Sequence, residues 1–289
     1  MNPGRQRGRA EINWDAFREF VEKDHQPRVA RQLVSYAERF QDCLLTKDLS
    51  GIRDLSYTMR PNAMKGLSAL AKFLGCYTEF KELIKQYGLK WNGKSADDIF
   101  IERLTNVEDP EEVWKWVRVV KQERPELKEF MDLMAVSGLR FIEACNSFNL
   151  IIRLKLDNKL DTYFKADKSA LEHFKFKEIF IRKSKKAFVS FVPQDLVLAI
   201  AKKGTALTSA DAVQKLVQKR GLPLRFADIR EAHGTLMTKY LKESEINFLH
   251  GRVSSSVFMQ HYFNPALIGD LRERVFKGVS EILEKVKVC

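Results

Sequence analysis

The chain has 289 residues and lacks several features that define large classes of protein. Its cysteines and its five histidines are widely spaced, so neither a disulfide framework nor a structural zinc site is indicated. No apolar run approaches the roughly 20 residues that span a bilayer, and the first residues are basic rather than apolar as in a signal peptide. We therefore expect a cytoplasmic protein with no membrane partner. The four cysteines are Cys43, Cys76, Cys145 and Cys289.

Two further absences limit the available chemistry. No segment resembles a glycine-rich phosphate loop, and no acidic cluster is suited to hold two magnesium ions. Enzymes that cut nucleic acids with water as the nucleophile generally use carboxylate-bound metal. The sequence therefore predicts no cofactor and no metal site.

Positive charge is what the chain has in excess. There are 50 lysines and arginines against 38 acidic residues, giving a net charge of +12. A surplus of this size favours a polyanionic partner, of which DNA is the most usual. Hydrophobic residues make up 45% of the chain, which is enough for a sizeable core and argues against a disordered basic tail.

Three short segments in a fixed order suggest chemistry at a phosphodiester. They are residues 137–143 (SGLRFIE), 227–230 (ADIR) and 260–263 (QHYF). Two arginines with planar donor forks can grip phosphate oxygens and neutralise the charge of a transition state. A tyrosine hydroxyl, whose free pKa is about 10, becomes a nucleophile only when its proton is removed and its target is held.

In these segments the chain resembles the tyrosine recombinase (phage-type integrase) family, and most closely its archaeal virus and plasmid members. The resemblance covers roughly the C-terminal two thirds of the chain. It implies that Arg140 and Arg230 hold the phosphate, that Glu143 supports them, and that Tyr262 is the nucleophile. The family's second box usually begins with histidine, and this chain has Ala227 there, which puts the usual proton-handling group of that box in doubt.

The family also places a donor some ten residues before the nucleophile. Arg252 lies ten positions before Tyr262, and His250 lies twelve positions before it. We assign the role to Arg252 and keep His250 as the alternative.

A further family element is a lysine in a β-hairpin between the two arginine boxes. Residues 177–193 alternate apolar and polar around a basic turn, which predicts a hairpin. By the resemblance, Lys185 is the general acid that protonates the leaving 5′ oxygen, and Lys183 is its close competitor. Because this hairpin lies farther from Arg140 than in many members, residues 150–175 look like an insertion.

Each element also has an ordinary structural interpretation. Arginines are commonly solvated on helices, a charged hairpin tip keeps a sheet edge soluble, and an isolated tyrosine usually packs in or near a core. Four matching elements in the right order and near the right spacing favour the functional interpretation over coincidence.

The fold class predicted is mainly α with a small antiparallel β-sheet, in two domains. Residues 1–10 form a basic flexible tail and residues 11–90 a helical domain, which the resemblance makes a core-binding DNA-binding domain. Residues 91–108 are a linker, and residues 109–289 are the catalytic domain. Its first helix is expected to begin with Asp109 as N-cap and Pro110 at the first position. The amphipathic segment 267–286 either docks on a neighbouring protomer, as in related recombinases, or covers its own core.

The resemblance implies a site-specific recombinase that cuts and rejoins double-stranded DNA at attachment sites through a 3′-phosphotyrosyl intermediate, acting as a homo-tetramer on DNA. Two alternatives stay open. The chain is a DNA-binding protein that kept the fold and lost catalysis, which Ala227 makes conceivable, or it is a strand-relaxing enzyme like the type IB topoisomerases. The retained motifs argue against the former, and the separate N-terminal helical domain with the SGLRxxE box argues against the latter.

Overall fold

The computed structural model describes residues 12–91, 95, 97–98, 101, 105, 110–182, 185–252, 261 and 263–288. The chain is mainly helical (67%) with one small three-stranded antiparallel sheet, which confirms the predicted mainly α class with a small sheet. The division into a DNA-binding and a catalytic domain stays a prediction. Two compact units follow one another, Met1–Val107 and Glu108–Cys289, and each has its own hydrophobic core. The finer boundaries, including the linker at 91–108, stay a prediction, and the tail at 1–10 lies outside the described residues.

Unit 1 contains short and long helices that bury one face each. Asn13 caps the first helix by accepting a hydrogen bond from the Ala16 amide at 3.0 Å, and Pro27 opens the second at the position where its missing N–H costs nothing. Pro61 suits a first helical position by its fixed φ, but it is the third residue of its helix. The described helices of this unit are α1 Trp14–Glu22, α2 Pro27–Leu45, α3 Ser50–Arg53, α4 Met59–Phe73 and α5 Tyr77–Gln86.

Unit 2 combines helices with the three-stranded sheet. The first helix begins at Pro110 as predicted, while its expected N-cap Asp109 lies outside the described residues. The described helices are α6 Pro110–Glu123, α7 Lys128–Ser137, α8 Phe141–Leu156, α9 Lys177–Phe180, α10 Gln194–Lys202, α11 Ala210–Gln218, α12 Phe226–Met237, α13 Glu243–Leu249 and α14 Leu271–Lys285. The strands are β1 Phe164–Lys165, β2 Ala170–Leu171 and β3 Ser190–Phe191, in the order β1-β2-β3.

The predicted hairpin over 177–193 is wrong in most of its length. Residues 177–180 form the one-turn helix α9, and the basic turn is closed by a single antiparallel bridge between Ile181 and Lys186. The strand β3 does not pair across that turn but with β2, with Ala170 opposite Phe191. The cause is tertiary: Phe180 is buried, with its ring centroid 4.6 Å from that of His173, so this turn packs inward.

The segment 150–175 is part of the core of unit 2. It completes α8 and supplies both β1 and β2. Tyr163, fully buried, donates to Ser147 on α8 at 2.9 Å and lies 2.7 Å from Nδ1 of His173. The other ring nitrogen of His173 is 2.9 Å from the Ser190 hydroxyl on β3. This series of buried hydrogen bonds links the sheet to α8, the helix that begins next to Arg140.

The C-terminal helix α14 packs on its own unit. Val275, Val279 and Ile282 are buried in the core of unit 2, and Lys121 donates to the Val286 carbonyl at 2.7 Å. Of the two possibilities left open by its amphipathic pattern, the structure shows the helix covering its own core. Among the described residues, no helix has the length and apolar character needed to cross a membrane.

Candidate active site

The turn that carries Arg140 depends on glycine. Helix α7 ends at Ser137, and Gly138 follows with φ 58° and ψ 17°, in the left-handed region that glycine adopts without a steric penalty. The chain then reverses into α8, whose N-cap is Arg140. The backbone amide of Arg140 donates to Glu143 at 3.3 Å, which fixes the start of the helix.

Glu143 is a fully buried carboxylate that joins two arginines. Its Oε1 accepts from Nη1 of Arg140 at 3.1 Å and from Nη2 of Arg182 at 3.1 Å. Such a charge is stable in the interior because its hydrogen bonds and the two cations offset the loss of water. Glu143 therefore orients Arg140 and also anchors the basic turn through Arg182.

Arg230 lies in the middle of α12 and is only 8% exposed. Its Nη1 donates to the Gly138 carbonyl at 2.8 Å, and its Nη2 donates to the His250 carbonyl at 2.5 Å. Burial, then the charges of Arg140 and Arg252, lower its pKa to about 10. Arg230 is thus held by the turn before Arg140 and by the end of α13, two residues before Arg252.

The basic turn also contacts the arginine cluster through its backbone. Nη1 of Arg140 donates to the carbonyl of Lys186 at 3.3 Å. Gly251 has φ +62°, and a Cβ there would stand 1.7 Å from the same carbonyl oxygen. Only glycine allows the segment before Arg252 to approach so closely. Three distant parts of the chain therefore meet at the Lys186 carbonyl and Arg140.

Two histidines lie beneath this cluster. Nδ1 of His233 is 3.0 Å from Nε2 of His250, and both side chains are 2% exposed. Burial is the largest cause that lowers the pKa of His233 to about 4 and of His250 to about 2, and the nearby cations act in the same direction. Both rings are therefore neutral near pH 7.

The predicted site residues fall into three groups. Arg140, Arg230 and Glu143 form the centre, and the exposed Arg252 lies close enough for its charge to act on Arg230. Lys185 is exposed in the basic turn, where its carbonyl accepts from the Arg182 amide at 2.9 Å. Lys183 and Tyr262 lie outside the described residues.

The residues on either side of Tyr262 are described. His261 is exposed, and the Phe263 ring lies 5.9 Å from that of Phe248, at the end of α13. The chain that follows the tyrosine is therefore packed next to the helix that leads to His250 and Arg252.

Sequence reasoning missed two residues of this cluster, Arg182 and His233. The sequence indicates Arg182 only as part of a basic turn, because its partner Glu143 is 39 positions away. For His233 a local signal existed: it lies three residues after Arg230 and so shares a helix face with it. That spacing alone does not identify the partner, since His250 belongs to another helix.

The arrangement suits the binding of an anion with two or more oxygens. A planar fork at Arg140 is partly exposed, at 26%, while Arg230 behind it is buried and charged. In a partly desolvated site such donors attract negative charge more strongly than in water. In the parts of the chain that the structure describes, no group of three or more histidine, cysteine or acidic residues could hold a metal ion.

Fold and site together define a helical protein in which a pair of arginines, suited to bind an anion, is assembled from three separate elements. The family model of archaeal phage integrases matches residues 105–272, more than half of the chain and all of the segments that build the site. The chain belongs to the archaeal phage integrase family. A search among curated proteins found no match.

Proposed function

We propose that this integrase cuts and rejoins double-stranded DNA at specific sites through a covalent link to Tyr262. The observation that carries the proposal is the meeting of Arg140 and Arg230. Their side chains come from different elements, and Arg230 is bonded to the turn that carries Arg140. Family membership supports DNA as the substrate, and so does the net charge of +12.

In the proposed reaction, the phenolic oxygen of Tyr262 attacks a DNA phosphorus while the bond from phosphorus to the 5′ oxygen breaks. The products are a 3′-phosphotyrosyl link and a free 5′ hydroxyl. The tyrosine gives its proton to solvent water, and the leaving oxygen gains one from the Lys185 ammonium. Because the phosphodiester energy is kept in the covalent link, a 5′ hydroxyl of a partner strand can reverse the step.

Arg140 and Arg230 contribute in different ways to this step. Arg140 presents its fork to the solvent side, while its Nη1 is oriented by Glu143 and the Lys186 carbonyl. Arg230 is buried and its guanidinium is held at two carbonyls, so its charge is positioned before DNA binds. Preorganised charge of this kind lowers the barrier because little rearrangement is needed when the phosphorane forms.

Arg252 is the better candidate for the third donor. It is exposed, and its charge acts on Arg230. The ring of His250, in contrast, is buried, and its Nε2 is engaged with His233. We therefore assign phosphate contact to Arg252, with His250 acting behind it. Lys185 is assigned as the acid over Lys183 by the resemblance.

One observation favours a second candidate, a DNA-binding protein without catalysis. Ala227 is exposed in the first turn of α12 and offers no proton-handling group where the family usually has histidine. A protein of this second kind would bind the same DNA without ever forming a covalent link to it. The type IB topoisomerase alternative would form the link without choosing a site.

The test uses DNA selected by the protein itself. Duplexes from a random pool are enriched by binding to Tyr262→Phe, which keeps the ring and removes only the nucleophilic oxygen. Bound sequences are then rebuilt as suicide substrates with a nick beside each phosphate and incubated with the wild-type protein. We expect a covalent adduct on a denaturing gel with the wild type and none with Tyr262→Phe.

The outcomes separate the candidates. Binding by both proteins with no adduct from either would support the catalytically silent protein. An adduct formed equally on unselected DNA would support a strand-relaxing enzyme. Four subunits on a four-way junction are expected for strand exchange, and cross-linking of the adducted complex measures that number.

A further inference from the structure

His233 is buried on α12, one helical turn after Arg230. The reaction proposed above assigns it no role. The backbone carbonyl of Val136, near the end of α7, acts on the His233 ring as a hydrogen-bond acceptor and opposes the lowering of its pKa. Its Nδ1 lies 3.0 Å from Nε2 of His250, at the end of α13. One side chain therefore connects three helices.

Each of these helices leads to one arginine of the site. Val136 lies four residues before Arg140, while His250 lies two residues before Arg252. The third arginine, Arg230, shares α12 with His233. The His250 carbonyl itself accepts from Arg230, so a shift of His250 moves a direct ligand of that guanidinium.

The turn glycine is fitted to the two rings. A Cβ at Gly138 would lie 2.6 Å from Nδ1 of His233 and 2.7 Å from Nε2 of His250, closer than side-chain atoms normally approach. The rings therefore rest directly on the backbone whose carbonyl receives Arg230. A Cβ at Gly234, the next residue of α12, would stand 3.1 Å from Cε1 of His250.

The available donors and acceptors determine which atom donates in each of these hydrogen bonds. A carbonyl only accepts, so the His233 nitrogen that faces Val136 carries the hydrogen. Nδ1 faces His250, which leaves Nε2 as that donor, and Nδ1 of neutral His233 then accepts from Nε2–H of His250. Among the described residues, Nδ1 of His250 has no hydrogen-bond partner.

We propose that His233 is a positioning residue that sets the relative placement of Arg140, Arg230 and Arg252 by joining the end of α7, at Val136 and Gly138, to His250. This proposal rests on the proposed function, since the three arginines are assigned to one phosphate. His233 makes no contact with the DNA in this account. It acts through the His250 carbonyl and through the Gly138 turn.

The test compares His233→Leu with His233→Asn. Leucine fills the space but cannot join Val136 to His250, whereas the asparagine amide places a polar group near the Nδ1 position. With selected DNA at saturating protein, we expect His233→Leu to slow single-turnover cleavage on the order of 10- to 100-fold, because misplacement by about 1 Å has effects of that size. DNA affinity should change by less than about threefold, since phosphate contacts by exposed cations remain. His233→Asn should recover part of the rate.

A matched control removes two hydrogen bonds from the same unit away from the arginines. Asn149 on α8 donates to the Leu207 carbonyl at 2.6 Å and accepts from the Leu207 amide at 2.7 Å. We expect Asn149→Leu to lower the melting temperature and leave the cleavage rate of the folded protein unchanged. A rate in His233→Leu that equals the wild-type or Asn149→Leu value, or no recovery in His233→Asn, would overturn the proposal.

A second measurement does not depend on activity. Nitrogen-15 NMR of histidine-labelled protein without DNA should show both rings neutral, with a slowly exchanging Nε2–H on His250 that is lost in His233→Leu. If the wild type forms no adduct but this signal behaves as expected, the proposed function fails while the joining role of His233 stands. If the His250 proton is unchanged in His233→Leu, the positioning role is refuted.

Discussion

Replacing Gly138 by alanine tests the geometry of the site through stability. Two costs add at this position. The first is conformational: a residue with a Cβ at φ +58° costs about 1–2 kcal/mol. The second is steric, since the added Cβ would lie 2.6 Å and 2.7 Å from ring atoms of His233 and His250. Forcing extra atoms into a packed interior typically costs about 1–3 kcal/mol.

Gly221 is the matched control in the same unit. It has φ +70°, and nothing lies within 4 Å of the position of its Cβ. Gly221→Ala therefore bears only the conformational cost, about 1–2 kcal/mol, and the loss of freedom in the unfolded chain is common to both variants. The difference between the two isolates the contact with the histidine pair. We expect Gly138→Ala to be less stable than Gly221→Ala by about 1–3 kcal/mol.

Urea denaturation of the two variants, followed by circular dichroism, gives this difference. A second readout is cleavage, which Gly138→Ala should slow and Gly221→Ala should leave unchanged, because only the former displaces the rings and the carbonyl that holds Arg230. Equal free energies of unfolding for the two variants would refute the close seating of the rings on the turn. Equal cleavage rates would show that this seating does not position the arginine.

Three further outcomes follow from the site. Glu143→Gln keeps the shape of the side chain but removes the charge between Arg140 and Arg182. Compared with wild type, we expect the free energy of unfolding to fall by about 3–5 kcal/mol and cleavage to be slower. An unchanged cleavage rate would remove Glu143 from the site. Burial lowers the pKa values of His173 and His233 to about 3 and 4, below the value of about 6.5 in the unfolded chain. The contribution of these two residues to stability should therefore be constant above about pH 6.5 and fall below it, by at most about 2 kcal/mol per residue at pH 5, as measured by denaturation at a series of pH values. Constant stability down to pH 5 would contradict the burial of neutral rings. Adduct formation should continue in excess EDTA because guanidiniums supply the charge at the phosphate, and complete inhibition by chelation would contradict this.

Helices of unit 2 could be predicted from the sequence because their apolar periodicity is local. The first helix begins at Pro110, and the amphipathic segment 267–286 contains α14. The conformation of residues 177–193 could not be predicted from the alternation of apolar and polar residues. Four of these residues form the helix α9, which buries Phe180. The strand β3 pairs with β2, about 20 residues earlier, and no local pattern encodes that choice.

The arginines of the site were accessible from the sequence, but their supports were not. Arg140 and Arg230 stand in short boxes whose order is informative by itself. Arg182 and His233 act only through partners that folding brings from distant segments, Glu143 and His250. The same holds for Gly251, whose need for glycine arises from the Lys186 carbonyl pressed against it.

The central claim is a covalent link between Tyr262 and the 3′ phosphate of the cut strand. The most direct measurement is mass spectrometry of the protease-digested adduct, made with a substrate labelled at the 5′ end of the cleaved strand. We predict that the label stays with the protein, that the modified peptide carries its nucleotide on Tyr262, and that the released fragment has a 5′ hydroxyl that a kinase can phosphorylate. A nucleotide on another residue such as Tyr240, or a label released with a free 3′ end, would contradict the account.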